Sequence, residues 1–269
     1  MTAVPKLRLE HVTKRIEIAG TGDTVTVVDG IDLSVAAGEF LVLVGPSGSG
    51  KSALLELLAG VSSPTSGRIL LDGKPTVGPG LDRGIVFQHH ALLPWRTARH
   101  NIEFGLETKG VGKRERRALT EHYLELVDLQ ADADHYPHEL SDIVKLRVAL
   151  ARSLAFDPEV LLMDEPFGAF DNRNREFMQD ELLRIREVTG KTIVFATSDI
   201  GEAVYLGQRV AVLTARPGHV AGAIAVDLDR SVADVRTGAR FLGYRDLIRS
   251  LVDEQVERSR FGVVATVRR

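Results

Sequence analysis

Hydrophobic and polar positions alternate with a period of two over LRLEHV (residues 7–12) and again over TVTVVDGIDLSV (24–35), the spacing of half-buried strands. EFLVLVG (39–45) is instead continuously apolar, as a central strand buried on both faces requires. The period then changes: KSALLELLAG (51–60) repeats its leucines at helical spacing and closes on Gly60, a natural C-cap. GRILLDGKPT (67–76) predicts a hairpin turning on Asp72-Gly73, and GIVFQ (84–88) predicts another buried strand. From about residue 95 to 155 the texture is helical, with a charged stretch, KRERRALTEHYLELVDL, followed by a second helix running from LSDIV into RVALARSLAFDP. Strand character returns at VLLMD (160–164), helix at EFMQDELLRIREVTG (176–190), and strand at KTIVFAT (191–197). After a short helix, DIGEAVYLG, come the strands QRVAVLT and HVAGAIAV, which end at residue 226.

Strands alternating with helices predict an α/β core spanning 1–226, with an antiparallel β portion near the amino terminus and a helical subdomain inserted at about 95–155. Residues 227–269 are polar and helix-leaning, a C-terminal helical tail with no chemistry of its own. The 269 residues suffice for one full core with a subdomain. A net charge of −3 argues against a nucleic-acid partner held by bulk electrostatics, and the lack of cysteine excludes disulfides and thiolate metal sites. MTAVPKLRLEH lacks the apolar region of a signal peptide, and no stretch reaches the roughly 20 apolar residues of a membrane span. The expectation is a soluble intracellular protein that meets a membrane only through a partner.

GPSGSGKS (45–52) satisfies G-x-x-x-x-G-K-[ST] at every specified position, between a buried strand and a helix. Gly45, Gly48 and Gly50 let successive backbone N–H groups curl around phosphates, and the helix N-terminus adds positive potential. Lys51 supplies a mobile charge to the β- and γ-phosphates, and the Ser52 hydroxyl is a Mg²⁺ ligand. The bland alternative, a Gly/Ser surface turn that happens to hold a lysine, does not account for the flanking strand and helix.

VLLMDE complements this loop. A buried strand delivers Asp164 to its carboxyl end, where it can hold the Mg²⁺ shell, and Glu165 can polarise an attacking water as general base. A loop start or helix N-cap would also use two adjacent acids. Gln88, at the end of GIVFQ, is a neutral oxygen donor suited to completing the metal shell or sensing the γ-phosphate.

With these residues in place the chain resembles the ATP-binding cassette (ABC) family, the motor subunits of ABC transporters. The likeness spans nearly the whole sequence and rests on GPSGSGKS, FQ followed by LLPW, LS…RVALARSLAFDP and LLMDEPFGAFD. FQHHALLPWRTARHNIEFGLE and the TARPG turn (214–218) look most like importers of the nitrate, taurine, sulfonate and bicarbonate kind. The resemblance implies a P-loop NTPase core of the ABC type and ATP with Mg²⁺ as cofactors. It implies ATP contacts from Gly45, Pro46, Ser47, Gly48, Ser49, Gly50, Lys51, Ser52 and Ala53, metal contacts from Ser52, Gln88 and Asp164, and catalytic roles for Glu165 and Gln88. It also implies a head-to-tail pair of ATPase subunits, homo- or heterodimeric, each lending its signature helix to the other's ATP. The surface around Gln88–Asn101 would dock a membrane permease at the cytoplasmic face, with a solute-binding protein as an indirect partner. Leu92, Leu93 and Trp95 suit such docking, although Trp95 packed under its own loop reads equally well.

Similar proteins carry LSGG where this chain has LSDIV (140–144), and the glycine amides reach the γ-phosphate of the opposite subunit's ATP. Here Asp142 puts a carboxylate at that tip; two unit charges about 4 Å apart repel by about 4 kcal/mol at an effective dielectric of about 20. Ile143 adds a β-branched side chain that resists close backbone approach, Val144 and Leu146 replace polar residues, and Ser141 or Asp142 can still cap the helix. The family's Thr-His-Asp switch reads Thr197-Ser198-Asp199, and serine is shorter and never cationic. At the adenine-stacking position LEHVTKRI places Ile16, with the Arg15 guanidinium as a partial substitute; His89 or His90 is a poor replacement for the switch histidine. Two readings follow: an active though slowed importer ATPase, or a degenerate subunit with weak hydrolysis that pairs with a second ATPase.

Overall fold

The computed structural model describes residues 4–18, 20–232 and 234–266, with side chains described as far as Glu257. The chain forms two compact units, residues 1–79 with 194–269, and residues 80–193.

The first unit holds two sheets. In the antiparallel one, β1 (Leu7–Glu17) lies between β2 (Thr24–Val35) and β4 (Ser66–Leu71), with the short β5 (Lys74–Pro75) outside β4. β1 runs five residues past the alternation that predicts it, because it bulges at His11, whose φ is 49°, and then resumes pairing as far as Glu17 opposite Thr24. The hairpin turns on Asp72 and Gly73, both at positive φ, as the sequence predicts. The second sheet contains β3 (Phe40–Val44), β8 (Thr192–Thr197, its last four residues in this unit), β9 (Arg209–Leu213) and β10 (Val220–Ala225), in the order β10-β9-β3-β8. All five residues of β3 are buried, each aliphatic or aromatic side chain contributing on the order of 1.5–3 kcal/mol. The Phe40 and Phe195 rings meet at 6.1 Å in this core.

Among the described residues the α-helices of this unit are α1 (Lys51–Ala59), α6 (Ile200–Leu206) and α7 (Ala239–Thr266). Gly60 ends α1 at φ 75°, and its amide returns to the last turn. The tail packs on this unit at least as far as Ile248. The Arg230 guanidinium donates to the Gly207 and Tyr205 carbonyls at the end of α6, Arg236 stacks over the Tyr205 ring, and Ile248 is fully buried.

In the second unit β6 (Arg83–Val86) and β7 (Val160–Asp164) pair in parallel, Arg83 opposite Val160 and Val86 opposite Met163. Phe87 and Gln88 lie beyond β6, so the strand is shorter than GIVFQ predicts. The helices are α2 (Ala98–Thr108), α3 (Lys113–Leu126), α4 (Asp142–Ala155) and α5 (Asn172–Thr189). α5 begins four residues before the predicted start, since the Asp171 carboxylate caps it by accepting the Asn174 amide at 2.8 Å. The Ser153 hydroxyl ties α4 to β6 by donating to the Ile85 carbonyl at 3.0 Å.

Candidate nucleotide-binding site

The predicted site residues divide between the units: the phosphate loop, Ile16 and Ser198 belong to the first, and Gln88, LSDIV, Asp164 and Glu165 to the second.

The phosphate loop joins β3 to α1. Gly48 and Gly50 hold φ values of 81° and 86°, which side chains on L-residues resist. The Lys51 ammonium is buried and donates to the Gly45 carbonyl at 2.8 Å and the Pro46 carbonyl at 3.3 Å, closing the loop on itself. Ser47, Gly48 and Ser52 are exposed, Pro46, Gly50 and Ala53 half-buried, and the Ser49 side chain faces inward. These residues fit a magnesium-bound triphosphate: an exposed glycine turn at Ser47-Gly48, a lysine ammonium within the loop, and the exposed Ser52 hydroxyl at the helix start, which would hold the ion. A magnesium ion held there would supply positive charge to offset that of the phosphates.

The loop is buttressed from outside by a feature the sequence does not announce. In TARPG, the Thr214 hydroxyl donates to the Pro217 carbonyl and accepts the His219 amide, both at 2.8 Å. The Gly218 amide donates to the Val27 carbonyl of β2, and its own carbonyl accepts the Asp29 amide. This pinned turn presses on the loop so closely that a Cβ on Gly218 would lie 2.2 Å from the Ser49 carbonyl oxygen. The signal for it is a glycine inside a turn that the sequence otherwise marks only by resemblance.

Ser198 is exposed at the carboxyl end of β8. Its neighbours hold the turn. The Thr197 hydroxyl donates to the Glu202 carboxylate at 2.6 Å, Thr197 also accepts the Asp199 amide, and the Asp199 carboxylate caps α6 through the Glu202 amide at 3.0 Å. Glu202 is a buried anchor that sequence reasoning passes over as a surface residue. Ile16 is 48% exposed on β1, and Arg15 beside it is exposed too.

In the second unit Asp164 ends β7, half-buried, and Glu165 follows in the left-handed region at φ 40°. Such a conformation costs on the order of 1 kcal/mol for a residue with a Cβ and turns the chain sharply off the strand. Buried Pro166, Phe167 and Phe170 hold the turn beyond it.

At the start of α4 the cap is Ser141, whose hydroxyl accepts the Val144 amide at 3.4 Å. Asp142 is the first helical residue, and its carboxylate receives the Lys145 ammonium at 3.1 Å. The bare-charge repulsion expected of Asp142 is therefore reduced, because a neighbouring cation sits within the same turn. The tip presents a side-chain ion pair and the half-buried Ile143 and Val144 where a phosphate reader would present open amides.

The segment from Gln88 to Thr97 is organised by Asn101, a fully buried side chain on α2. Its amide oxygen accepts the Leu93 amide, and its nitrogen donates to the Leu93, Arg96 and Thr97 carbonyls. Gln88 and His89 are exposed. Trp95 is 71% exposed, so it does not pack under its own loop. His90 is turned inward, and burial outweighs the nearby Asp142 carboxylate to push its imidazole pKa below the ordinary value, with Lys145, Arg152 and His89 acting in the same direction as burial. It is far from the role of a switch histidine: its ring reaches α4.

A strand–glycine loop–helix phosphate cradle on an α/β scaffold defines a P-loop nucleotide-binding protein. The ABC transporter family model matches residues 28–168. An uncharacterised ABC transporter ATP-binding protein of Methanocaldococcus jannaschii is 46% identical over 254 residues, with 94% of each chain covered. A nitrate import ATP-binding protein of Synechocystis is 45% identical over 253 residues, covering 91% of this chain and 95% of that one. Among solved structures, a dimeric ATP-binding cassette in a post-hydrolysis state with ADP and Pi superimposes with a TM-score of 0.73 at 31% identity, covering 82% of this chain and 99% of that one. The chain belongs to the ABC transporter family, as an ATP-binding subunit of the importer type related to nitrate and taurine import ATPases. It is an ABC-type ATPase with ATP and Mg²⁺ as its cofactors. Among the described residues no helix is long and apolar enough to cross a membrane.

Proposed function

We propose that this subunit couples Mg-ATP to a membrane permease as the degenerate half of an ATPase pair, with weak hydrolysis of its own and a second ATPase subunit supplying most turnover. The observation that carries the reading is the tip of α4. Ser141 keeps the cap, so the helix is intact, while the Asp142–Lys145 pair, Ile143 and Val144 replace the small residues that would let a triphosphate approach. Ser198 supports the same reading, being exposed on a well-built turn but too short and uncharged for a histidine's role.

In this scheme Lys51 grips the phosphates, Ser52, Gln88 and Asp164 are the candidate ligands of the ion, Glu165 polarises water, and Ile16 stands where an aromatic ring would stack on adenine. Residues 1–226 form the nucleotide-binding domain and 227–269 an appended tail. The segment Leu92–Trp95 meets the permease at the cytoplasmic face; the exposed Trp95 indole supports this, since such a group is well suited to burial in a partner. A solute-binding protein is then an indirect partner, and nucleic acid is none.

Two experiments test the proposal. Co-purification of the native complex is expected to recover a distinct second ATPase chain; a stoichiometric homodimer with brisk turnover would instead establish the fully active reading, which the retained Lys51, Asp164 and Glu165 favour. In the assembled complex, Asp142→Gly with Ile143→Gly and Ser198→His is expected to raise ATP turnover at least about tenfold, the rate equivalent of about 1.4 kcal/mol. Unchanged turnover with ATP still bound would overturn the degenerate assignment.

A further inference from the structure

His90 and Ala91 are consecutive non-glycine residues in the left-handed region, at φ 61° and 46°. Such a pair persists only where surrounding contacts over-determine it. Here those contacts come from α4. The Arg152 guanidinium donates to both carbonyls of the strained pair, one nitrogen to Ala91 at 2.7 Å and the other to His90 at 2.8 Å. The His90 ring is buried, and its Nε2 lies 3.3 Å from the Asp142 carbonyl oxygen at the start of α4. A carbonyl only accepts, so the ring carries its proton on Nε2 and donates it there. Local bonds complete the turn, His90 amide to Phe87 carbonyl at 2.9 Å and Ala91 amide to His89 carbonyl at 2.6 Å.

The strained pair stands two residues after Gln88 and immediately before Leu92–Trp95. Its two anchors lie ten residues apart on α4, one at the tip and one near the end. A helix is rigid over that length, so two anchors fix both position and orientation of the loop upon it.

We infer that His90 is a positioning residue which, with Arg152, latches the Gln88–Trp95 loop to the LSDIV tip so that the two move as one body. Displacing the loop then displaces Asp142 and Ile143 directly, without any change inside α4. The use of that motion rests on the permease reading above, whereas the latch itself does not.

The test is amide hydrogen exchange on the full chain alone, read by peptide mass spectrometry at constant pH, for wild type, His90→Ala, His90→Gln and, as a surface control, His89→Ala. A glutamine side-chain amide can take the place of the Nε2 donor. His90→Ala is expected to speed exchange at least about tenfold both in residues 87–93 and in the first turn of α4, leaving β6 and β7 protected. His90→Gln is expected to restore protection in both segments, and His89→Ala to change neither. Faster exchange in 87–93 with an unaltered α4 tip would overturn the latch. So would faster exchange throughout the unit, or failure of His90→Gln to protect either segment, since both are what a residue that merely fills the core would give. Because neither permease nor second subunit is present, absence of an importer complex would leave these results untouched.

Discussion

Replacing Lys51 with alanine is expected to abolish measurable ATP binding. The ammonium is buried and donates to the Gly45 and Pro46 carbonyls, so it already lies within the loop and exchanges at least one of those carbonyls for phosphate oxygens on binding. A hydrogen bond to a charged group is worth on the order of 1.5–3 kcal/mol, and two such contacts to β- and γ-phosphates amount to about 3–6 kcal/mol. That corresponds to a loss of roughly 10² to 10⁴ in affinity. Calorimetric titration with Mg-ATP measures it, and thermal melting gives a second readout. Wild type gains melting temperature with nucleotide by mass action, whereas Lys51→Ala is expected to melt at one temperature with or without it. A retained nucleotide-dependent gain would mean that the phosphates bind elsewhere.

Gly218→Ala is expected to weaken ATP binding at least about tenfold while the protein still folds, although residue 218 bears no side chain that could touch a nucleotide. Its new Cβ would meet the Ser49 carbonyl oxygen at 2.2 Å, a backbone atom with no rotamer to escape into. One of two things must yield. The TARPG turn is pinned by five hydrogen bonds through Thr214, Gly218 and His219, so the phosphate loop is the softer side. Overpacking of this kind costs on the order of 1–3 kcal/mol, and here the displaced atoms are one residue from Gly50 and two from Lys51. Gly222→Ala is the matched control, since a Cβ there comes no nearer than 4.0 Å to the Leu251 side chain and should leave affinity unchanged. Equal ATP affinity in Gly218→Ala and wild type would show that the turn does not set the loop's shape.

What the sequence reveals and what it hides follow from the range of the interactions. β2 and β7 fall on their predicted residues, because a period of two that resumes after one break, or a continuous apolar run, is written locally. α1 with its Gly60 cap and the Asp72-Gly73 hairpin are legible for the same reason. The end of β1 is not, since the bulge at His11 interrupts the alternation that would extend it. Of the site, the phosphate loop and the two acids at the end of β7 are motifs of adjacent residues and can be read directly. Ser49 beneath Gly218, His90 against the Asp142 carbonyl, and Thr197 with Glu202 are contacts in which Ser49, His90, Thr197 and Glu202 have a polar character that predicts a solvated surface, and only folding shows that these four are internal. Asn101 is the plainest case. One buried amide satisfies four backbone groups of the loop before it, and nothing in its neighbours' hydrophobicity marks it.

The ion pair at the start of α4 also makes the order of mutational steps matter. Asp142→Gly taken first removes one member of the pair and leaves Lys145, shifting the tip from nearly neutral to net positive, at a helix N-terminus that already favours anions. Ile143→Gly taken first leaves both charges in place and weakens the helix by about 1 kcal/mol, with nothing gained at the phosphate end. On the proposed degenerate reading, both steps place a glycine in the first turn of α4, and only the loss of the acid also removes a charge that would oppose a phosphate. Of the two single variants, the first is the one expected to show a partial gain on its own.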